Sequence, residues 1–307
     1  MLDRIAFNKK LILQKSLDFF SNSSSLIPKI GIELEFFLFH NCGVEPVSRT
    51  LRDEFISDLK GRLLQDFHFF YEVEKEQGIS QIEIKSSFTS DLSGLAAEID
   101  EVKKITQTIA KEKNLIASFA SKPLENDCGS ALQFNISLHN FDGKNLFTED
   151  EFLLNNAIVG LLQNTNQMMI FLADKEEDYS RFSYEANREL FRRGKFTAPV
   201  NLSFGNDNRT CAIRIPPIFE NHGKRLEYRV AAAGASPHLS MSVLLLALSD
   251  GLSGGVNADK LGYDRIYGNA FDDRYCLKNL CKNLEEAKKS FFQEDGFIQK
   301  KIGELIV

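Results

Sequence analysis

Two carboxylates in an otherwise apolar run offer the first chemistry. In Ile30-Gly31-Ile32-Glu33-Leu34-Glu35-Phe36-Phe37-Leu38-Phe39 the composition is that of a β-strand. Strand geometry turns alternate side chains to opposite faces, so Ile32, Leu34, Phe36 and Leu38 share one face and Glu33, Glu35, Phe37 and Phe39 the other. The two acids point the same way, roughly 7 Å apart. Like charges so placed stay ionised where something positive lies between or above them, and a divalent cation is the economical choice. Two solvated glutamates on an edge strand are the alternative that this segment alone leaves open.

The same alternation recurs downstream. Gln81, Glu83 and Lys85 share one face of their run, and Gln133, Asn135, Ser137 and His139 share one face of theirs. Arg225, Glu227 and Arg229 stand opposite Leu226, Tyr228 and Val230, and Arg214 faces away from Cys211, Ile213 and Ile215. If these strands join one sheet, one side carries a core and the other a pocket of carboxylates, arginines and small polar groups. A merely solvated face would usually be rich in Lys and Thr. Acids bind divalent metal through oxygen and arginines grip phosphate or carboxylate, a combination suited to an ATP-dependent reaction on an acidic substrate. The chain has no GxxxxGK[ST], GxGxxG or HExxH. His40, His68, His139, His222 and His238 are scattered and read as structural or surface groups.

The elements that must position these residues follow from periodicity. Helices are expected over residues 8–20, after the polar stretch that follows Pro46, over 91–114 with a cap at Ser90 or Asp91, and over 149–173, 237–252 and 280–292. Strands are expected over 67–74, 79–87, 115–119, 133–139, 200–204, 211–215 and 225–230, with a long charged connection over 174–197. With 307 residues, 43% hydrophobic and 26% charged, the parsimonious reading is a single α+β domain over 1–307 around an antiparallel or mixed sheet. A net charge of −6 without a basic block argues against a nucleic-acid partner. The longest apolar run, Val243–Leu248, is far short of a membrane span. Five scattered cysteines without a CxxC pair or a secretory signal fit a reducing cytosol, so a cytoplasmic location is expected.

From about residue 10 to 307 the chain resembles the catalytic domain of glutamine synthetases, in the wider group of carboxylate-amine ligases. GIELEFFLF is similar to the family's GPEPEFFLF, EQGISQIEI (76–84) to EVGPGQYEI, and CGSALQFNISLH (128–139) to NGSGMHVHQSLH. APVNLSFGNDNRTCAIRIPP (198–217) resembles APVNIAWGxxNRSAAIRIP, its most specific block running from Asn208-Arg209 to Pro216. RLEYRVAAAGASPHLSMSVLLLALSDGL (225–252) resembles RIEYRxPDxxANPYLxxAAxLxAGLDGI. The resemblance implies a curved, mainly antiparallel sheet with helices on its outer face, and the use of ATP with Mg2+ or Mn2+. It implies one metal at Glu35, Glu76 and Glu83 and a second at Glu33, Gln133 and Glu227. Phosphate-facing arginines fall on Arg209 and Arg214, nucleotide contacts on Asn135, Ser137 and Arg225, and the grip on the substrate carboxylate on Arg229, with a further substrate arginine at Arg181 or Arg188.

Departures from the pattern shape the expected function. Gln133 and Asn135 stand where the family has histidines, Cys128 where an asparagine contacts glutamate, and Thr197 where an acid helps bind and deprotonate ammonium. The 307 residues hold no counterpart of the family's N-terminal β-grasp domain, which supplies a neighbour's aspartate and helps build the oligomeric ring. The expectation is therefore an ATP- and metal-dependent ligase that forms an acyl phosphate, with γ-glutamyl-type transfer to an amine other than ammonia. Its partners would be small acids and amines, and any homo-oligomer would differ from the standard dodecamer. A degenerate paralogue with a binding or regulatory role, and a phosphotransferase of guanidino-kinase type, stand as alternatives.

Overall fold

The computed structural model describes residues 2–195, 198–218, 223–254, 263–293 and 295–306. Its described strands are β1 Ile27–His40, β2 Phe70–Lys75, β3 Gln81–Ser86, β4 Leu115–Ser118, β5 Leu132–His139, β6 Phe204–Asn206, β7 Ile213–Ile215 and β8 Leu226–Tyr228. They form one sheet in the order β2-β3-β1-β5-β8-β7-β6, and β4 pairs with the far end of β1. Every pairing is antiparallel except β6 with β7. The long first strand is the axis, because it alone pairs with three others.

Helices α1 Leu2–Phe7, α2 Lys9–Ser24, α3 Arg49–Asp66, α4 Leu92–Glu112, α5 Glu151–Leu172, α6 Tyr184–Arg192, α7 Pro237–Gly254, α8 Leu284–Phe291 and α9 Phe297–Leu305 complete the described elements. Ile32, Leu34, Phe36, Ile82, Ile84, Phe134, Ile136, Leu226 and Tyr228 from the strands join α2, α4, α5 and α7 in one buried apolar cluster. Helix α7 is apolar almost all round and buried along most of its length, which suits an inner layer rather than a surface. It crosses α5 at glycines: a Cβ on Gly160 would lie 2.2 Å from the carbonyl oxygen of Ala247, and one on Gly251 2.2 Å from that of Asn156. Asp91 caps α4 through Gly94 N (2.8 Å) and Asp150 caps α5 through Leu153 N (2.9 Å).

Three local expectations change. The connection over 174–197 contains a 3-10 segment, Glu176–Phe182, and α6, whose N-cap Ser183 accepts from Ala186 N at 3.3 Å. Only Asn187 and Leu190 of α6 are buried, so no apolar stripe announced it. The strand expected over 200–204 is displaced to 204–206, because Leu202 N bonds Lys278 O (2.8 Å) and Leu280 N bonds Val200 O (3.0 Å), outside the main ladder. The first helix begins earlier and is broken near Asn8, giving α1 and α2.

Candidate active site

The strand register places the polar residues on one face. Directly opposed residues of an antiparallel pair share a side of the sheet. Glu35 lies opposite Glu83, and Glu33 lies opposite both Lys85 and Gln133. Asn135 lies opposite Gly31 and Glu227, and Arg214 opposite Glu227. The alternation of five separate runs therefore produces a single continuous polar surface across β3, β1, β5, β8 and β7.

At its β3–β1 end, Glu35 is 7% exposed and accepts from Ala131 N (2.9 Å), Gln81 Nε2 (3.3 Å) and Gln133 Nε2 (2.5 Å). Burial and the charge of Glu76 push its carboxyl up to about 7, against the opposing pull of Arg181, the Ala131 N–H and Arg229. Glu83 is pushed up as well, by burial and by Glu33 and Glu35, although Lys85 Nζ lies 3.1 Å away. Glu76 reaches this cluster from the β2–β3 turn, where Glu76 N bonds Gln81 O at 3.0 Å. That turn needs a glycine: a Cβ on Gly78 would stand 2.6 Å from the Phe37 ring. Among the described residues no three His, Cys, Asp or Glu side chains are gathered tightly enough to hold an ion as they stand. Yet two buried carboxylates whose proton affinity is raised by neighbouring acids, Glu35 by Glu76 and Glu83 by Glu33 and Glu35, are an environment that a divalent cation relieves, and Glu35, Glu76 and Glu83 could hold one after side-chain rotation.

At the β8–β7 end the acids are already matched. Glu227, 1% exposed, accepts at one oxygen from Arg214 Nη1 and at the other from Arg229 Nη1. Burial alone would raise its proton affinity; the two guanidinium groups outweigh it and hold the carboxyl below its ordinary range. Asp207 grips the other edge of Arg214, at 2.9 Å from Nε and 2.5 Å from Nη2. Asn135 donates to Glu33 at 3.0 Å and accepts from Arg225 Nε at 3.1 Å. Ser137 Oγ lies 3.0 Å from His139 Nε2, whose other ring nitrogen lies 3.0 Å from Gly143 O. If Nδ1–H donates to that carbonyl, Nε2 is an acceptor for Ser137.

Between the two ends, Glu35, Glu76, Gln133, Cys128, Arg181 and Arg229 line a cavity of about 30 Å³. That is room for an ion or a water or two, and an organic acid enters only by parting these side chains. Arg181, 3% exposed, donates to Val230 O (2.9 Å) and Arg229 O (2.8 Å), and burial lowers its guanidinium to about 10. Arg188 instead lies over the Tyr184 ring, 5.8 Å from its centre, and does not line this cavity. Arg209 borders a separate space of about 480 Å³ with Lys195 and Asp207. Burial pushes the Cys128 thiol up to about 12, so this wall is neutral. Thr197 and His222 lie outside the described residues.

Sequence patterns missed three contributors. Asp207 sits at a positive φ of 44° in a turn with no periodicity to flag it. Asp127 accepts from Ile79 N (2.8 Å), Cys128 N (2.9 Å) and Lys195, tying together three loops that wall the cavity. Phe88, 37% exposed, lays its ring 3.2 Å from where a Cβ of Gly31 would be, beside Asn135. A glycine opposite an asparagine, with a ring just after β3, was the available signal.

A family model described as the glutamine synthetase catalytic domain matches residues 54–307. The chain belongs to the glutamine synthetase family. Among the relatives of this family chain is the gamma-glutamylputrescine synthetase PuuA of Escherichia coli (strain K12), 30% identical over 181 residues, 58% of this chain and 36% of that protein. A glutamine synthetase of Sulfolobus acidocaldarius is 30% identical over 223 residues, 68% of this chain and 45% of that enzyme. The chain thus spans less than half the length of these curated relatives. In fold it is similar to GmaS in an ADP complex, with a TM-score of 0.81 and 18% identity over 97% of this chain and 70% of that one. The mainly antiparallel sheet with covering helices is the fold expected of the family. No described helix is long and apolar enough to cross a membrane.

Proposed function

We propose that this chain is an ATP-dependent ligase that joins a carboxylic acid to an amine other than free ammonia, in the manner of γ-glutamyl amide formation. The observation that carries this reading is the gathering of buried Glu35 and half-buried Glu76 against Arg181 and Arg229 around one cavity, on the polar sheet face of a glutamine synthetase-family fold. Relatives support it: one is named for γ-glutamylputrescine, whose amine is larger than ammonia, and a structural neighbour is described with ADP. Thr197, which carries no charge, and the neutral Cys128 wall agree with a less strongly cationic or bulkier amine than ammonium. Among the described residues, one sheet and one dominant apolar core, with a small satellite cluster at Cys211, Ile266 and Ala270, support treating residues 1–307 as a single catalytic unit.

In this reading Arg181 and Arg229 orient the acid through its carboxylate, a geometry for which a planar guanidinium is suited. Asn135, Ser137 and Arg225, with the half-exposed ring of Phe88, receive the nucleotide on β5 and β8. An acid oxygen takes the terminal phosphoryl group as ADP leaves. The amine nitrogen then attacks the acyl carbon, phosphate departs and the amine's proton is lost. Arg214, preorganised by Asp207 on its other edge, would meet the developing phosphoryl charge, and Arg209, which borders the neighbouring space with Asp207, would have to swing toward it to share that role. Mg2+ or Mn2+ at Glu35, Glu76 and Glu83 would supply further neutralisation of phosphoryl oxygens.

The test is a matrix of acids and amines incubated with Mg-ATP, read by phosphate release and by product mass. Phosphate release that requires both partners, with an amide whose mass is that of acid plus amine less water, is expected. Silence across a broad matrix, despite nucleotide binding, refutes the ligase reading in favour of a binding role. A stable phosphorylated product formed without amine makes the protein a phosphotransferase.

A further inference from the structure

The long charged connection over 174–197 borders two separate spaces, and the ligase reading uses one of them. Toward the catalytic cavity it sends Arg181, which grips Val230 O at 2.9 Å and Arg229 O at 2.8 Å. Away from it, Tyr179, Phe182 and Tyr184 join Phe271 around a second cavity of about 750 Å³. That volume is ordinary for a small-molecule site. The second cavity shares no lining residue with the one at Glu35. Its wall nonetheless touches the catalytic machinery, because the Arg181 guanidinium lies over the Phe182 ring, 5.3 Å from the ring centre.

Charge and surface chemistry together select the occupant. Glu176, Glu185, Asp272 and Asp273 line this space, against the single ammonium group of Lys282. Arg274 neutralises Asp272, with Nε at 3.3 Å. The bonds of the next two acids bring no positive charge: Glu176 accepts from Leu284 N at 3.1 Å, and Asp273 lies 3.2 Å from the Tyr184 hydroxyl. Glu185 has no hydrogen-bond or ion-pair partner among the described residues. Arg188 and Arg192 border an adjoining space beyond Phe271 and do not line this one. Three carboxylates beside one ammonium group repel an anion, and aromatic faces next to carboxylates suit an organic cation with an apolar body.

The geometry points to an effector site for a small organic ammonium ion in this cavity, coupled to Arg181 through the Phe182 ring on which that arginine rests. A cation seated between Tyr184, Phe271 and the carboxylates fills the space behind the 3-10 segment Glu176–Phe182. It thereby fixes the backbone from which Arg181 reaches Val230 O and Arg229 O. The site uses none of the residues to which the ligase reading gives a role other than Arg181, so it stands apart from that reading.

The test is calorimetric titration of the nucleotide-free full chain with choline and with n-butylammonium, beside their neutral counterparts 3,3-dimethylbutan-1-ol and 1-butanol. Choline has no N–H to acylate, so its binding is not that of a ligase substrate. At least one of the two cations should saturate a single site per chain and bind at least about tenfold more tightly than its neutral counterpart. Glu185→Gln combined with Asp273→Asn should weaken that binding, while Glu35→Gln in the catalytic cavity should leave it unchanged; thermal unfolding confirms that each variant is folded. Exposed Glu185 replaced alone by Gln supplies the same readout if the double variant does not fold. The bound cation should also slow amide hydrogen exchange over residues 176–183. No saturable binding of either cation, equal binding of the neutral counterparts, or binding lost with Glu35→Gln and kept without Glu185 overturns the site. Binding that leaves exchange over 176–183 unchanged overturns the coupling to Arg181. Cation binding as expected in a protein that joins no acid to any amine sinks the ligase reading and leaves this inference standing.

Discussion

Glu227→Gln separates an arginine partner from a metal ligand, provided stability is measured without metal. Glu227 is 1% exposed and bridges Arg214 and Arg229, whose side chains are 12% and 6% exposed. At contact distance and an effective dielectric near 20, each pair is worth about 4 kcal/mol of Coulomb attraction. Desolvation and the repulsion of Glu33 offset part of this. Removing one partner of a buried pair leaves uncompensated charge, which typically costs about 3–5 kcal/mol. For a chain of 307 residues, with an unfolding entropy of about 2.1 cal/mol/K per residue, that is a fall in Tm of roughly 5–8 °C. The assay is thermal unfolding in excess EDTA. A variant as stable as the parent, or more stable, refutes the reasoning, because a carboxylate kept chiefly for a cation would burden the metal-free protein through its repulsion of Glu33. Introducing Arg214→Met first should shrink the penalty of Glu227→Gln, since one of the stranded guanidinium groups is then gone.

Two glycines in helices should respond with opposite signs. Gly160→Ala drives a Cβ to 2.2 Å from Ala247 O and should lower stability by about 1–3 kcal/mol, whereas Gly61→Ala in α3, with nothing within 4 Å, should raise it by about 0.5–1 kcal/mol in urea unfolding. Burial lowers Lys103 to about 8 from 10.5. The folded chain therefore binds fewer protons than the unfolded one between those pH values, and this residue's contribution rises with pH across the window by roughly 3 kcal/mol; a Lys103→Met variant whose urea midpoint tracks the parent from pH 7.5 to 10.5 would contradict it. Arg181→Lys cannot span Val230 O and Arg229 O with one fork, and should raise the KM for the acid at least tenfold in the ligase assay while kcat changes less. An unchanged KM would remove Arg181 from acid binding.

Much of the site was legible because strand alternation has a period of two and needs no knowledge of partners. Glu33 with Glu35, Gln81 with Glu83, Gln133 with Asn135, and Glu227 with Arg229 could each be placed on a common face from their own runs. What alternation cannot supply is register, which depends on how separate strands pair. That Glu35 opposes Glu83, and that Arg214 opposes Glu227, emerges only from the ladder. Contacts made by turns were hidden for a different reason: Asp207 and Asp127 act from loops, where no periodicity marks the side that faces inward. Helix α6 escaped because it buries little apolar surface, and β6 because three residues are too few to display a pattern.

Register also reveals a division that single strands conceal. On the β3–β1 side, Glu35, Glu76 and Glu83 face Lys85 and Arg181, and Lys85 is shared with Glu74. On the β5–β8–β7 side, Glu227 and Asp207 face Arg214, Arg225 and Arg229, while Glu33, opposite Lys85, belongs with the carboxylates of the first side. One polar face thus runs from an excess of carboxylate to an excess of guanidinium, with Gln133 bridging the boundary between Glu35 and Arg229. A mobile cation is drawn to the first side by charge and kept from the second by repulsion. An anionic phosphoryl group is drawn to the second. In the ligase proposed above, the acceptor carboxylate would lie at the boundary, between the arginines and the carboxylates that would hold a cation. The asymmetry is set by side chains that are themselves hydrogen-bonded, so it exists before any substrate arrives, which is the condition for electrostatic preorganisation to lower a barrier.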